Sequence, residues 1–352
     1  MGIQTINEDC RRLEWIDALK GFAILWVVLG HVLRGYGENH AFEASFNSVI
    51  LSAMNWIYTW HMPLFFVISG YTFRLAYVKG NGGQIQVKHD KVKLQLINLL
   101  GIYLLFQVAL CVLKALFSAF VDNGMDISDL LNNIVIPNTL MWYIWVLMIY
   151  YILFSWLVSK NIVSNKVFLA AMFVLAVVQL ATEGQIRWGL AVGNLVHNLF
   201  YFAVGAAGLT RPNRKIRISV LAFICLTASV FWMQVPYQAL SAMAAEVIAI
   251  TVILIVVRLF EERNVVNPIL VLLGKKSLVI YLLHTYFVTA LKVLFIRTGM
   301  CNPYTALPII LISWIIPVIA TCGVAMLCDK WRWLGWIFRP VSLLGNKRAG
   351  AK

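Results

Sequence analysis

The chain has 352 residues, of which 61% are hydrophobic and only 12% are charged, and its mean hydropathy is +0.81. A water-soluble domain is nearer half apolar and a quarter charged, so this composition excludes a single aqueous core and requires lipid to cover part of the surface. The net charge of +14 comes from short basic clusters between apolar runs, which is typical of cytoplasmic loops and excludes a nucleic-acid-binding stripe.

Six cysteines are scattered along the chain without a CxxC pair, and most of them lie in apolar runs, where a thiol behaves as a small hydrophobe. The sequence therefore predicts neither a metal site nor a disulfide framework. The first twenty or so residues mix both charge signs, and no small-residue cleavage site follows the first apolar run. This pattern disfavours a cleavable signal peptide.

The apolar runs predict an all-α, polytopic membrane protein with about ten transmembrane helices, because a span needs about 20 apolar residues. The second run is over-long and contains Pro63. Most lysines and arginines fall on the side of both termini, so the positive-inside rule places the N- and C-termini in the cytoplasm. The predicted spans are 19–37, 47–78, 95–120, 139–158, 167–183, 189–209, 218–236, 240–260, 277–296 and 305–327.

No internal repeat and no domain linker interrupts this series of apolar runs. We therefore expect one transmembrane domain over residues 1–352, with a short cytoplasmic N-terminal segment at 1–18 and a C-terminal tail at 328–352. The loops are too short for a separate soluble catalytic domain, so the function is carried out within the lipid bilayer or at its faces. The expected location is the cytoplasmic (inner) membrane.

The first span carries ionisable residues inside an apolar run. His31 follows Lys20 by eleven residues, which is about three helical turns, so both lie on one face roughly 16 Å apart, with Asp17 on the same side. As anchors at the interface, Lys20 and Asp17 have an ordinary structural interpretation. His31 is different, because intramembrane ionisable groups are costly and usually face a cavity or a partner.

Three further histidines lie in or near apolar runs: His61, His197 and His284. A single such histidine is more often a hydrogen-bonded packing residue than a functional one. These three histidines and His31 together favour a polar cavity that serves as a proton relay or as an acid–base site. The role of His197 stays open at this point.

The second span contains a small polar notch at Ser69 and Gly70. Small residues in a spanning helix let another backbone approach closely, and they can also form the floor of a ligand cavity. Pro63 can free backbone carbonyls for such a cavity. The residues alone leave both interpretations open.

Four motifs in order resemble the membrane acyltransferase-3 family of O-acyltransferases, especially its fucose 4-O-acetylase-like branch. The first has a basic residue, ten residues and a histidine, although lysine stands here where the family more often has arginine. The motifs, from residue 15 to residue 285, are "WIDALKGFAILWVVLGH", "WHMPLFFVISGYTF", "LMWYIWVLMIYYIL" and "LGKKSLVIYLLHT".

This resemblance implies an acyl-CoA-dependent O-acyltransferase, with acetyl as the family's commonest acyl group. The acyl group would pass from cytoplasmic acyl-CoA to a hydroxyl of a glycan or lipid-linked saccharide on the far side of the bilayer. Acyl-CoA is then a donor substrate and no bound cofactor is expected. The resemblance implies His31 and Lys20 as catalytic residues, and Trp142, His61 and His284 as substrate-binding residues. From their own positions on the first and second spans, Asp17 and Ser69 are predicted as further substrate-binding residues.

A contact with the CoA phosphates is expected from basic residues after the second span: Lys88, Lys91 and Lys93. There the chain departs from the family pattern, with Leu94 in place of an arginine and Asn98 in place of a proline. Lysine contacts a phosphate as a point charge and lacks the two-pronged geometry of arginine.

Two other classes of function fit parts of the sequence. A proton-coupled secondary transporter would use the intramembrane histidines as a relay, although the halves show no inverted repeat. A structural subunit would use the histidines only for packing. The acceptor, the oligomeric state and the choice between direct transfer and an acyl-enzyme are left open by the sequence.

Overall fold

The computed structural model describes residues 2–81, 84–116, 130–163, 165–183, 185–208, 216–235, 237–331 and 335–338. Most of the predicted tail at 328–352 lies outside these residues. Within them the chain is helical except for one hairpin and a 3-10 turn, Trp336–Phe338. The helices are α1 (Gly2–Glu38), α2 (Ala44–Tyr77), α3 (His89–Leu116), α4 (Leu130–Val135), α5 (Trp142–Ser159), α6 (Lys166–Thr182), α7 (Leu190–Ala207), α8 (Ile218–Gln234), α9 (Gln238–Glu262), α10 (Pro268–Lys275), α11 (Ser277–Arg297) and α12 (Ala306–Lys330).

Each of the predicted apolar runs corresponds to one of these helices. Among the described residues, seven helices are long and apolar enough to cross a bilayer, namely α1, α3, α5, α7, α9, α11 and α12. The apolar helices α6 and α8 have 17 residues each. Helix α2 has 34 residues and continues through Pro63. The protein is therefore a multi-pass membrane protein built of helices.

Local sequence signals explain where several helices begin and end. The Asn267 side chain accepts hydrogen bonds from the first backbone N–H groups of α10, and Pro268 follows at the first helical position. Asn165 caps α6 in the same way. Helix α7 ends at Gly208, whose φ of +75° suits a residue without a Cβ. Helix α1 begins at Gly2, so the predicted segment 1–18 continues into the first span as one helix.

A two-stranded hairpin occupies part of the connection between α2 and α3. Strand β1 (Val78–Asn81) pairs antiparallel with β2 (Gln84–Val87), and Val78 lies opposite Val87. In the sequence, two glycines separate the strands, and a Gly-Gly pair between two such runs favours a hairpin.

The chain divides into two compact units. The first unit comprises Met1–Phe65, Arg211–Gln234 and Ala244–Leu327, and the second comprises Phe66–Thr210, Val235–Met243 and Cys328–Lys352. Each unit draws on distant parts of the chain.

In the second unit, α5 packs through aromatic side chains. The Tyr150 ring lies 5.4 Å from that of Phe66 and 5.0 Å from that of Phe202, measured between ring centroids. The Tyr150 hydroxyl donates a hydrogen bond of 2.5 Å to the Leu195 carbonyl, so this buried phenol is satisfied.

Candidate active site

Helix α1 lies at the centre of the first unit. Its Trp26 ring lies 5.1 Å from the Trp60 ring of α2, and its Tyr36 hydroxyl shares a 2.8 Å hydrogen bond with Ser313 of α12. The Trp314 indole of α12 donates to the backbone carbonyl of α1 at Leu25, over 2.8 Å. Helices α2 and α12 therefore both pack on α1, so α1 is covered in part by protein rather than by lipid alone.

Backbone contact between α1 and α10 fixes one end of this helix. A Cβ on Gly274 would collide with the carbonyl oxygen of Asp17, and a Cβ on Gly21 would collide with the carbonyl oxygen of Leu270. Two glycines therefore let the helices touch, as small residues do in membrane proteins. The contact brings Lys275 and Lys276, which follow Gly274, to the end of α1 that carries Lys20.

The predicted neighbours Asp17 and Lys20 form an ion pair. The Lys20 ammonium donates to a carboxylate oxygen of Asp17 over 3.2 Å, and both side chains are partly exposed, at 28% and 22%. A partly exposed pair of this kind adds little stability by itself. The ion pair orients the Lys20 side chain at the beginning of the first apolar run.

His31 lies between two aromatic rings from different helices. Its imidazole is 5.1 Å from the His284 ring of α11 and 6.2 Å from the Tyr58 ring of α2, between centroids. Gly30 permits this arrangement, because a Cβ there would be only 3.1 Å from the Tyr58 ring. His31 and Tyr58 are both partly accessible, whereas His284 is buried.

His284 is fully buried and is fixed by its own helix. Its Nδ1 atom lies 2.9 Å from the Ile280 carbonyl oxygen. A carbonyl only accepts, so Nδ1 carries the hydrogen and the neutral ring has its lone pair on Nε2. That Nε2 atom is buried and, within the part of the chain that the structure describes, has no hydrogen-bond partner.

His61 is anchored in the same manner on α2. Its Nδ1 donates to the Ile57 carbonyl over 2.8 Å, and its ring lies 4.7 Å from that of Tyr58. The ring of Tyr58 thus lies between His61 and His31. Three of the four predicted intramembrane histidines are therefore grouped in the first unit, with Tyr58 in contact with His31 and His61, and His284 in contact with His31.

Arg34 and Tyr58 extend this histidine cluster, and neither of them was a site residue predicted from the sequence. The guanidinium of Arg34 lies beside the Tyr58 hydroxyl and donates to the Glu38 carboxylate over 2.9 Å. Arg34 follows His31 by one helical turn, and this spacing was a signal available in the sequence. The pair forms a polar rim at the end of α1 away from Lys20.

The face of α1 between Lys20 and His31 is closed by packing. Ile24 and Val27 occupy this face at helical spacing, and each is only 1% exposed. Lys20 and His31 lie on one face of α1, but the buried side chains between them leave no open groove along that face.

The other predicted contact residues belong to the second unit. The Ser69 hydroxyl shares a 2.9 Å hydrogen bond with the Tyr143 hydroxyl, and Trp142 is buried with its ring 6.1 Å from that of Phe66. Gly70 serves close packing, because a Cβ there would collide with the Phe202 carbonyl of α7. The structure thus favours the packing interpretation of the notch for Gly70.

The basic residues after α2 and the remaining histidine are also in the second unit. Lys91 and Lys93 are exposed near the start of α3, and Lys88 donates to the Ala76 carbonyl over 3.3 Å. The His197 ring on α7 lies 5.7 Å from that of Tyr201, and it is not part of the His31 group.

A comparison with models of protein families shows which family the chain belongs to. A family model described as an acyltransferase domain matches residues 13–329, which is most of the chain. The chain belongs to the acyltransferase-3 family. The protein is thus a membrane acyltransferase, and the family predicted from the four motifs is confirmed. The comparisons with curated proteins and with solved structures gave no match.

In this acyltransferase, the histidine cluster is the group best suited to acyl transfer. An imidazole is able to take a proton from a hydroxyl or to attack a thioester itself. Among the clustered histidines, His31 is the one whose residue remains partly accessible, while His61 and His284 are 2% and 0% exposed.

Proposed function

We propose that this acyltransferase moves an acyl group, most often acetyl, from cytoplasmic acyl-CoA to a hydroxyl of a glycan or lipid-linked saccharide on the other side of the membrane. The observation that carries the proposal is the position of His31. It is partly accessible, it lies deep within an apolar helix, and it is surrounded by His284 and Tyr58 in a member of an acyltransferase family. An ionisable group inside a membrane-spanning helix is energetically costly, so its presence there usually indicates a function.

His31 is the proposed general base. In its neutral form it takes the proton of the acceptor hydroxyl while that oxygen attacks the thioester carbonyl carbon. The carbon–sulfur bond then breaks, the proton passes from His31 to the departing thiolate, and the products are an ester and free CoA thiol. Direct attack by His31 to give an acyl-imidazole is the alternative route for the same residue.

The end of α1 that carries Lys20 is the proposed donor side. Lys20, held by Asp17, is in a position to attract a CoA phosphate, and the Gly274 contact adds the charges of Lys275 and Lys276. We keep Lys88, Lys91 and Lys93 as further candidates for the phosphates. Because Ile24 and Val27 are buried, the pantetheine arm does not follow the face between Lys20 and His31 in this conformation.

The opposite end of the histidine cluster is the proposed acceptor side. Tyr58, Arg34 and Glu38 supply hydroxyl, guanidinium and carboxylate groups of the kind that bind saccharide hydroxyls. His61, Ser69 and Trp142 are further proposed substrate contacts. The positive-inside bias of the loops supports a cytoplasmic donor side and a location in the cytoplasmic membrane.

The direct test uses purified protein with labelled acetyl-CoA and a panel of saccharides. We expect acceptor-dependent release of CoA thiol and label in the saccharide. His31→Ala should lower the rate by about 10²–10⁴-fold at unchanged protein level, because the general base is lost. A variant that keeps full acyl transfer would contradict the role of His31, and proton-coupled uptake into vesicles without CoA release would support a transporter instead.

The acceptor is best sought in cells. We expect the O-acetyl content of surface glycans to fall when the protein is removed and to return with the wild-type chain but not with His31→Ala. Unchanged O-acetylation of every glycan fraction would contradict a glycan acceptor.

A further inference from the structure

One buried polar atom in the first unit has no role in the mechanism described above. The Nε2 atom of His284 is inaccessible and, among the residues that the structure describes, has no hydrogen-bond partner. A buried acceptor left unsatisfied costs about 1–3 kcal/mol, and an apolar side chain of similar shape would avoid that cost. A histidine that served only for packing has no reason to retain this atom.

The tautomer of His284 is set by its own helix. Nδ1 lies 2.9 Å from the Ile280 carbonyl, which only accepts, so the hydrogen of the neutral ring is on Nδ1. Nε2 is therefore a fixed acceptor. The α11 backbone holds the ring at one angle, much as a carbonyl orients a histidine that binds a metal.

His31 is the aromatic neighbour that can use this acceptor. The two imidazole centroids are 5.1 Å apart and the ring planes are inclined by 55°, which rules out parallel stacking. The other close rings are those of Tyr281 on the same helix, at 6.3 Å from His284, and Tyr58, at 6.2 Å from His31. No described protein group hydrogen-bonds to the His31 ring, so its N–H also lacks a fixed partner.

We propose that His284 is a positioning residue, whose Nε2 accepts a hydrogen bond from the His31 imidazole and thereby directs the other His31 nitrogen towards the acceptor hydroxyl. This proposal rests on the proposed function. It gives His284 the task that a carboxylate performs in a Ser-His-Asp triad, but with a neutral acceptor.

The proton balance of the step is unchanged by this role. The His31 nitrogen that faces the substrate takes the hydroxyl proton, the new oxygen–carbon bond forms, and the carbon–sulfur bond breaks. His31 then gives the same proton to the thiolate. The proposed hydrogen bond to His284 would form once the two rings approach each other, and it would strengthen while His31 carries a positive charge, because charged donors form the stronger bonds.

Two substitutions separate positioning from packing. Glutamine places an amide oxygen near the position of Nε2, whereas leucine fills similar space without an acceptor. We expect His284→Leu to lower kcat by about 10²-fold or more while KM for acetyl-CoA changes less than about threefold. His284→Gln should recover at least a tenth of the wild-type kcat. His284→Asn, which is too short to reach His31, should behave like leucine and replaces it if the leucine variant aggregates.

His197→Gln is the matched control, since it changes an intramembrane histidine of the second unit, and it should leave kcat near wild type. Equal losses in the glutamine, asparagine and leucine variants would overturn the proposal, as would a rise in KM at constant kcat, which indicates a substrate contact. Full activity in His284→Leu would overturn the positioning role of His284. The proposed acyl transfer would still be supported by the activity of the wild type. An inactive wild type would count against the proposed function itself.

Discussion

Lys20 shows how a charged residue at the mouth of a spanning helix combines an anchoring role with a proposed binding role. Its ammonium lies 3.2 Å from Asp17, yet 28% of its side chain remains exposed. A pair with this exposure contributes little to folding, and the proposed function gives its lysine a role in donor binding. The lysine keeps one positive charge available beside those of Lys275 and Lys276.

Substitution of Lys20 tests this role in donor binding. Lys20→Gln removes the charge, so we expect KM for acetyl-CoA to rise about five- to thirty-fold, the loss of one charge-assisted contact. The effect on KM for the acceptor should be smaller, and Lys20→Arg should stay within a few-fold of wild type. Steady-state kinetics with each substrate varied in turn measures both constants.

The matched control is Lys166→Gln, which removes a lysine from the start of α6 in the second unit. It should leave both KM values unchanged. An effect of Lys20→Gln confined to the acceptor would contradict the placement of the donor at this end of α1.

At the scale of elements, the contact between α1 and α10 determines which residues meet at the donor side. Gly21 and Gly274 have no side chains, and the backbones of the two helices touch at Asp17 and Leu270. Because α11 begins two residues after α10 ends, this contact also fixes where α11 starts, and hence the height at which His284 faces His31.

A glycine substitution at this contact should lower stability. Gly274→Ala would place a methyl group against the Asp17 carbonyl, and overpacking of this kind costs about 1–3 kcal/mol. We expect a lower Tm in detergent and a loss of acyl transfer. The measurement is thermal unfolding of the purified protein, followed by the activity of the folded fraction.

Gly323→Ala provides the comparison within the same unit. No described atom lies within 4 Å of a Cβ built on Gly323 of α12. The Tm of Gly323→Ala should therefore stay close to that of the wild type, or rise slightly because alanine favours the helix. Equal Tm values for Gly274→Ala and Gly323→Ala would contradict this prediction, because they would mean that α1 and α10 can move apart without loss of stability.

At the scale of the whole molecule, the distribution of charge determines how the helices are oriented in the bilayer. Most basic residues lie in segments on the side of both termini, whereas the segments on the other side are acidic or neutral. The positive-inside rule therefore predicts termini in the cytoplasm, and the proposed donor side at Lys20 would then face the cytoplasm.

Cysteine labelling tests this orientation in intact cells. In a variant free of native cysteines, Asn39→Cys should react with a membrane-impermeant maleimide, because Asn39 is exposed just beyond the end of α1. Lys160→Cys, exposed after α5, should react only after the cells are opened. The reverse pattern would place the donor side outside the cell and contradict the proposed direction of transfer.

Much of this protein was predictable from local patterns. Apolar runs of about 20 residues form helices in lipid, because a helix satisfies its backbone hydrogen bonds within one segment, and the described part of each predicted run contains a helix. The three-turn spacing of Lys20 and His31 and the pairing of Asp17 with Lys20 also follow from one helix. The four motifs gave the family that the comparison confirms.

Contacts between distant segments were decided only by the tertiary structure. No pattern along the chain indicates that the His284 ring lies 5.1 Å from that of His31, that Tyr58 lies between His31 and His61, or that Ile24 and Val27 close the face below His31. Helical periodicity sets the direction of each side chain from its own axis. Which helix stands opposite depends on how glycines, aromatic rings and hydrogen bonds pack together, so the sequence determined the helices and their polar faces, and packing alone determined the site.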